Sequence, residues 1–170
     1  MLDVFEDSVI RNVIGLDRVL VKDILTPRVV VFSLIETTKV GELSKSVLEF
    51  PHTRIPLFSE SDPDAVKGYV TQRDIARYLI EGENDKELSD FSRPIATVPD
   101  VMRADRLMLQ MVENHEPIAS VVNEHGGFAG VVTLEDLVEE IIGKEIVDEF
   151  DAVRDLRTYA KTLHELSGKA

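Results

Sequence analysis

The sequence predicts an α/β (α+β) fold made of two copies of one small unit, each a small sheet with two packed helices, plus a helix at either end. Three observations carry that prediction. Residues 68–75 read GYVTQRDI and residues 130–137 read GVVTLEDL, an offset of 62. Upstream, the apolar runs 55–58 and 118–122 correspond at an offset of 63, which also sets His52 opposite His115. Further back, DILTP at 23–27 answers DFSRP at 90–94 at an offset of 67, and the drift in offset places the insertions in turns. A unit of about 55 residues is too small to bury both faces of its own sheet, so the copies are expected to pack on each other. The chain divides into an N-terminal helical segment (1–21), a first repeat (22–82), a second repeat (83–146), and an acidic connector with an amphipathic helix (147–170).

Each element follows from its local pattern. Val9, Ile10, Val13 and Ile14 recur at helical spacing in the N-terminal segment. In the first repeat Val40, Leu43 and Val47 predict a helix, RIPLF a strand, 59–64 a turn, and 68–70 a strand leading into a helix from about Thr71. The second repeat has the same order, with Leu107, Met111 and Val112 on its first helix, a strand at 118–122, and a turn at His125, Gly126 and Gly127. Its second helix has the clearest pattern: Leu134, Leu137, Val138, Ile141 and Ile142 share one stripe, Glu135, Asp136, Glu139 and Glu140 take the other face, and Gly143 is placed as its C-cap. Val153, Leu156, Ala160 and Leu163 predict the closing helix.

Composition narrows the function classes. The 170 residues contain no cysteine, so disulfides and thiolate zinc sites are excluded, which suits a reducing cytosol. No apolar run approaches the roughly 20 residues that cross a bilayer, and the first seven residues carry no basic signal-peptide start. A formal charge of −13 disfavours nucleic acid and anionic membrane surfaces and makes divalent cations the more natural counterpart.

The repeated T-x-x-D carries the chemistry. Thr71 with Asp74, and Thr133 with Asp136, stand where a strand gives way to a helix, behind a glycine that permits close backbone approach. A helix N-terminus there offers free amides and positive dipole to an anion, the threonine hydroxyl can donate to a phosphate, and the aspartate can accept ribose hydroxyls. The same four residues are also a capping-box variant in which Thr caps the helix and Asp reaches back to the cap amide. Taken alone, capping is the commoner role. Arg73 in the first motif matches Glu135 in the second, so one helix starts with a cation and the other with an acid. A polyphosphate meeting the acidic helix needs a counterion, which magnesium supplies by bridging phosphate and carboxylate oxygens. Glu135, Glu139 and Glu140 read otherwise as an ordinary solvated face.

The ordered set DILTPR, FPHTRIPLF, RPIATVP, GGFAGVVTLEDLVEEIIG and EIVDEFD closely resembles the CBS-domain pair, or Bateman module, over roughly residues 17–151. More narrowly it is similar to the cytosolic portion of the CorC and hemolysin-related transporter family, which includes the animal cyclin M proteins. The resemblance implies a disc-like homodimer that binds an adenosine nucleotide, AMP or ATP with magnesium, in the cleft between repeats. It also implies an attached membrane domain linked to magnesium or cobalt efflux, and a place on the cytoplasmic face of the membrane. Carried onto this sequence, Asp136 would hold the ribose and Thr133 the phosphate end. The adenine would lie against the strand backbone near Ile118 and Ala119 and the segment Thr97, Val98 and Pro99. Pseudo-twofold symmetry would bring His52 and Arg54 to the phosphates, and Thr71 with Asp74 would form the second potential site. Apolar positions Leu137, Ile141 and Ile142 are expected to join helices between chains. Asn123 and His125 depart from the family pattern at the Gly-Gly turn, and Lys144 interrupts its GEI stretch. The sequence reads as a piece of a larger membrane protein whose transmembrane domain lies outside it.

Enzymatic readings find no local signature, since P-loop, GxGxxG, GxSxG and HExxH motifs are absent and no catalytic residue or protein metal site can be named. His115 reads as a capping or packing residue, His52 as either that or a phosphate contact, and Asp62 and Asp64 as turn residues. Three functions stay open: a nucleotide-sensing regulatory module, a dimerisation module whose T-x-x-D pairs only cap helices, and a nucleotide hydrolase.

Overall fold

The computed structural model describes residues 1–43 and 47–143. The expected connector and closing helix lie outside the described residues. The chain opens with α1 (Val4–Gly15), whose N-terminus is closed by a reciprocal pair: Glu6 N donates to Asp3 Oδ1 at 2.8 Å and Asp3 N to Glu6 Oε2 at 3.0 Å. A short α2 (Val21–Ile24) leads to β1 (Thr26–Pro27) and β2 (Leu34–Ile35). The first repeat then supplies β3 (Arg54–Phe58), β4 (Val66–Thr71) and α3 (Gln72–Ile80). The second supplies β5 (Ala96–Pro99), α4 (Ala104–Asn114), β6 (Ile118–Val122), β7 (Phe128–Thr133) and α5 (Leu134–Ile142).

Two sheets result, β2-β3-β4 and β1-β7-β6-β5. The first repeat's β1 therefore belongs to the second repeat's sheet, where Thr26 pairs with Val131. The reciprocal crossing also occurs: Tyr69 and Arg93 exchange both backbone hydrogen bonds, at 2.9 and 2.8 Å. This exchange explains the glycine before each T-x-x-D. A Cβ at Gly68 would stand 2.6 Å from Arg93 O, and one at Gly130 would run into Thr26 O. The backbone that the glycines admit is that of the other repeat's opening segment.

Strand register corrects the alignment of the halves. Arg54 faces Thr71 and Ile118 faces Thr133, so with the two threonines equivalent, Arg54 corresponds to Ile118, at an offset of 64 rather than 63. A one-residue shift exchanges the faces of a strand. His52 thus corresponds to Glu116, and His115 is free to take its own role: it ends α4 in the left-handed region at φ 58°. The first repeat's connector is three residues longer than the second's, taken up by a 3-10 turn at Arg28–Val30.

Each sheet keeps its own core, which takes in the segment that crosses from the other repeat. Val40, Ile55, Leu57, Val70, Ile75 and Leu88 fill one, and Leu107, Met111, Ala119, Val121, Val132 and Leu137 the other. Between them Phe58, Tyr69, Ile118, Phe128 and Val131 form a third cluster, with the Phe58 and Phe128 rings edge to face at 4.8 Å. Full burial of such side chains contributes about 1.5–3 kcal/mol each, so the packing of repeat on repeat is a substantial part of stability.

Two expected helices differ in outcome. α4 is regular, whereas the segment with Val40, Leu43 and Val47 forms 3-10 turns at Val40–Leu43 and Val47–Glu49 among the described residues. Strong helix formers fill α4, while Gly41, Ser44 and Ser46 do not favour a helix. The amides of Val40 and Gly41 are also drawn off to Lys86 O and Asn84 O, both at 2.9 Å. α5 ends at Gly143 as its pattern requires, and Asn12 Nδ2 of α1 donates to Ile141 O at 3.0 Å. Leu137 is wholly buried in the core, so it is not available between chains; Val138 is the exposed apolar residue of α5.

The turns account for the remaining polar residues. Asn123 Oδ1 accepts from the amides of His125 and Gly127, both at 3.0 Å, which closes the Gly-Gly turn without an acid at that position. Asp62 caps its own turn through Asp64 N at 2.9 Å. Asp64 does more than turn the chain: it pairs with Arg28 and accepts from Phe128 N of the other repeat at 3.3 Å.

Candidate nucleotide cleft

A cleft of about 290 Å³ opens between the repeats at the amino end of α5. Thr133 and Asp136 form its floor, Ile118 and Val131 its second-repeat wall, and Val31, Phe32, His52, Arg54 and Pro56 its first-repeat wall. Of the residues proposed from sequence, the fold brings together Thr133, Asp136, Ile118, His52 and Arg54.

The side chains of Ala119, Thr97, Val98 and Pro99 do not line the cleft. Side chains alternate along a strand, so while Ile118 faces the other repeat, Ala119 points into the core of its own and is fully buried. Thr97, Val98 and Pro99 lie on β5, paired with Ser120, Val121 and Val122 inside the second repeat's sheet. Because opening segments cross over, the connector against this cleft is the first repeat's, through Val31 and Phe32. Thr26, Val31, Phe32 and Pro56 were missed by sequence reasoning. The strand exchange that brings in Thr26, Val31 and Phe32 is marked in the sequence only by the glycines at 68 and 130, which do not say what crosses there.

The T-x-x-D at the cleft is a complete capping box. Asp136 Oδ2 accepts from Thr133 N at 2.7 Å and from Thr133 Oγ1 at 2.8 Å, and Asp136 N donates back to Thr133 Oγ1 at 3.2 Å. The hydroxyl proton of Thr133 is thereby committed to Asp136, so Thr133 positions the carboxylate rather than presenting a free donor to a phosphate. Asp136 Oδ1 has no protein partner among the described residues, and it stands in the first turn of α5 beside the helix dipole's positive end. Capping and ligand binding are thus divided between the two oxygens of one carboxylate.

Across the cleft, Arg54 Nη1 lies 3.0 Å from Glu135 Oε1. The cation and the acid that sequence analysis assigned separately to phosphate and counterion are therefore partners here. Thr71 and Asp74 are placed differently. Asp74 Oδ2 takes Arg93 Nη2 at 2.7 Å as well as the Thr71 hydroxyl at 2.8 Å, and Asp74 Oδ1 lies 3.5 Å from Arg77 Nη2. Its side chain is 14% exposed, so both oxygens are engaged and largely covered. Among the described residues no group of three or more His, Cys, Asp or Glu is disposed to hold a metal, so a divalent ion at the cleft would need ligands from the phosphates themselves.

The family model described as CBS domain matches residues 21–81 and 87–143, one match on each repeat. The chain is 33% identical to the magnesium and cobalt efflux protein CorC of Vibrio cholerae, a likeness spanning 100% of this chain and 62% of that protein. A solved CBS domain of the bacterial CNNM/CorC family Mg2+ transporter in complex with ATP superposes with a TM-score of 0.75 at 30% identity, over 81% of this chain and 97% of that one. A CBS-domain pair with bound AMP from Klebsiella pneumoniae superposes with a TM-score of 0.64 at 25% identity, over 74% and 99%. The chain spans about half the length of the curated relatives it matches, between 44% and 62% in the first three. No helix among the described residues is long and apolar enough to cross a membrane.

Proposed function

The chain belongs to the CBS-domain family, and from that premise we propose that it is a regulatory module that binds an adenosine nucleotide in the cleft at Asp136. The observation that carries this reading is Asp136 Oδ1, without a partner among the described residues, held by a capping box at a helix N-terminus in a cleft that Arg54 of the other repeat also lines. Apolar walls at Ile118, Val131, Val31 and Phe32 suit a flat base, the carboxylate suits ribose hydroxyls, and Arg54 with His52 suits phosphates. Magnesium enters with a polyphosphate, neutralising the acidic start of α5. The module acts as a homodimer at the cytoplasmic face of a membrane, and its occupancy biases an attached ion transporter of the magnesium and cobalt efflux type by differential binding to two arrangements. Leu109 and Val112 on α4, about half exposed, and Val138 on α5 are the apolar positions that helix faces offer to a second copy. No catalytic role is assigned.

Calorimetric titration of ATP and AMP, with and without magnesium, tests the reading against Asp136→Ala. Loss of one hydrogen-bonding carboxylate predicts about a ten- to hundredfold weaker nucleotide affinity. The lost cap costs only about 1 kcal/mol of stability. The complete capping box favours a second reading, a dimerisation module without ligand, for which the same substitution would cost stability and change no binding.

A further inference from the structure

We propose that the Arg54–Glu135 ion pair is a latch that sets the preference of the cleft between mono- and triphosphates, an inference that rests on reading the cleft as an adenosine nucleotide site. The pair joins the first residue of β3 in one repeat to the first turn of α5 in the other, at 3.0 Å. Both side chains line the cleft, and both also line a second hollow of about 390 Å³ walled by Pro117, Leu134, Val138 and Glu139. The ion pair is the partition between the two spaces.

A ligand anchored at Asp136, with its phosphates at the amino end of α5, meets that partition next, because Glu135 precedes Asp136 in the same turn. One phosphate fits on the near side with the pair closed. Three phosphates must pass it, and Arg54 can then exchange its carboxylate partner for phosphoryl oxygens, to which its planar guanidinium donates paired hydrogen bonds. The exchange joins cleft and hollow and leaves Glu135 and Glu139 unneutralised beside the terminal phosphates. A divalent ion compensates them, so opening the latch couples triphosphate binding to magnesium. The pair is weak enough to open: Arg54 and Glu135 are 31% and 61% exposed, and exposed pairs of this kind cost no more than about fivefold in affinity to break.

The test compares ATP and AMP affinities of the wild-type chain, Glu135→Gln and Glu140→Gln, each with and without magnesium. Glu140→Gln removes the same charge from the same helix but lines neither space. Glu135→Gln is expected to tighten ATP without magnesium by about two- to fivefold, to change AMP by less than about twofold, and to reduce the gain from magnesium. The gain should vanish in the Glu135→Gln, Arg54→Gln double variant, as a coupled pair requires. An unchanged ATP-to-AMP ratio in Glu135→Gln, or an equal change in Glu140→Gln, overturns the latch while nucleotide binding stands. If wild type binds neither nucleotide, the site reading falls and the latch with it.

Discussion

The two T-x-x-D motifs share a sequence pattern and a local fold, yet one is closed and the other open. Thr71 and Thr133 both cap the following helix through the amide of an aspartate three residues on, at 3.1 and 3.2 Å. The difference lies at three equivalent positions around them. Arg93, beside Asp74, corresponds to Thr26 beside Asp136; Arg73 corresponds to Glu135; and Ile118 corresponds to Arg54. In the first motif Arg93, from the second repeat's crossing segment, occupies the carboxylate. In the second the equivalent residue, Thr26, is too short to reach, and the cation is Arg54 of β3, which rests on Glu135. Duplication supplied two motifs, and a few charge exchanges left one carboxylate oxygen of the second without a protein partner among the described residues.

Breaking the crossing that both motifs depend on should have the largest effect. Gly130→Ala forces a methyl group into Thr26 O, and Gly68→Ala puts one at 2.6 Å from Arg93 O. Backbone cannot yield as a side-chain tip can, so losses of about 3 kcal/mol at Gly130 and about 2 kcal/mol at Gly68 are expected in denaturant unfolding. The more crowded glycine should be the costlier, and equal losses would contradict the geometry.

Thr26→Arg carries the closed motif's device into the open one. An arginine there can reach Asp136 as Arg93 reaches Asp74, and it should weaken nucleotide binding at least about tenfold, the value of one hydrogen bond to a charged group. Thermal stability should hold or rise slightly. Binding at wild-type affinity would show that the open site does not depend on the small residue at position 26.

The reverse exchange should have the smallest effect. Arg93→Thr releases Asp74, but Arg93 is 48% exposed, so the lost pair should cost about 1 kcal/mol or less in stability. Nucleotide affinity at Asp136 is expected to stay within about twofold. A new second binding event in calorimetry would show that Arg93 alone keeps the first motif closed.

Much of this arrangement was legible in the chain. The repeats, the strand-turn-strand-helix order that closes each of them, and α5 with its cap at Gly143 follow from periodicity and duplication, while the resemblance and its pseudo-twofold symmetry brought His52 and Arg54 to Asp136. The misplaced residues trace to two physical causes. Ala119 was carried to the cleft by the resemblance, through its backbone, whereas pairing with β7 turns its side chain into the second repeat's core. Thr97, Val98 and Pro99 were assigned to it because sequence order does not reveal that each repeat's opening segment crosses to the other's sheet. The glycines at 68 and 130 marked the crossing points, but not what crosses there.

The sequence by itself determined the unit, its duplication, the capping chemistry of each T-x-x-D and the acid-for-cation exchange at Glu135 and Arg73. These depend on residues within a few positions of each other, where spacing along the chain sets spacing in space. Tertiary structure decided which carboxylate remains free. That outcome turns on Arg93 reaching Asp74 across 19 residues and Arg54 reaching Glu135 across 81, contacts made only when the two sheets exchange strands and pack face to face.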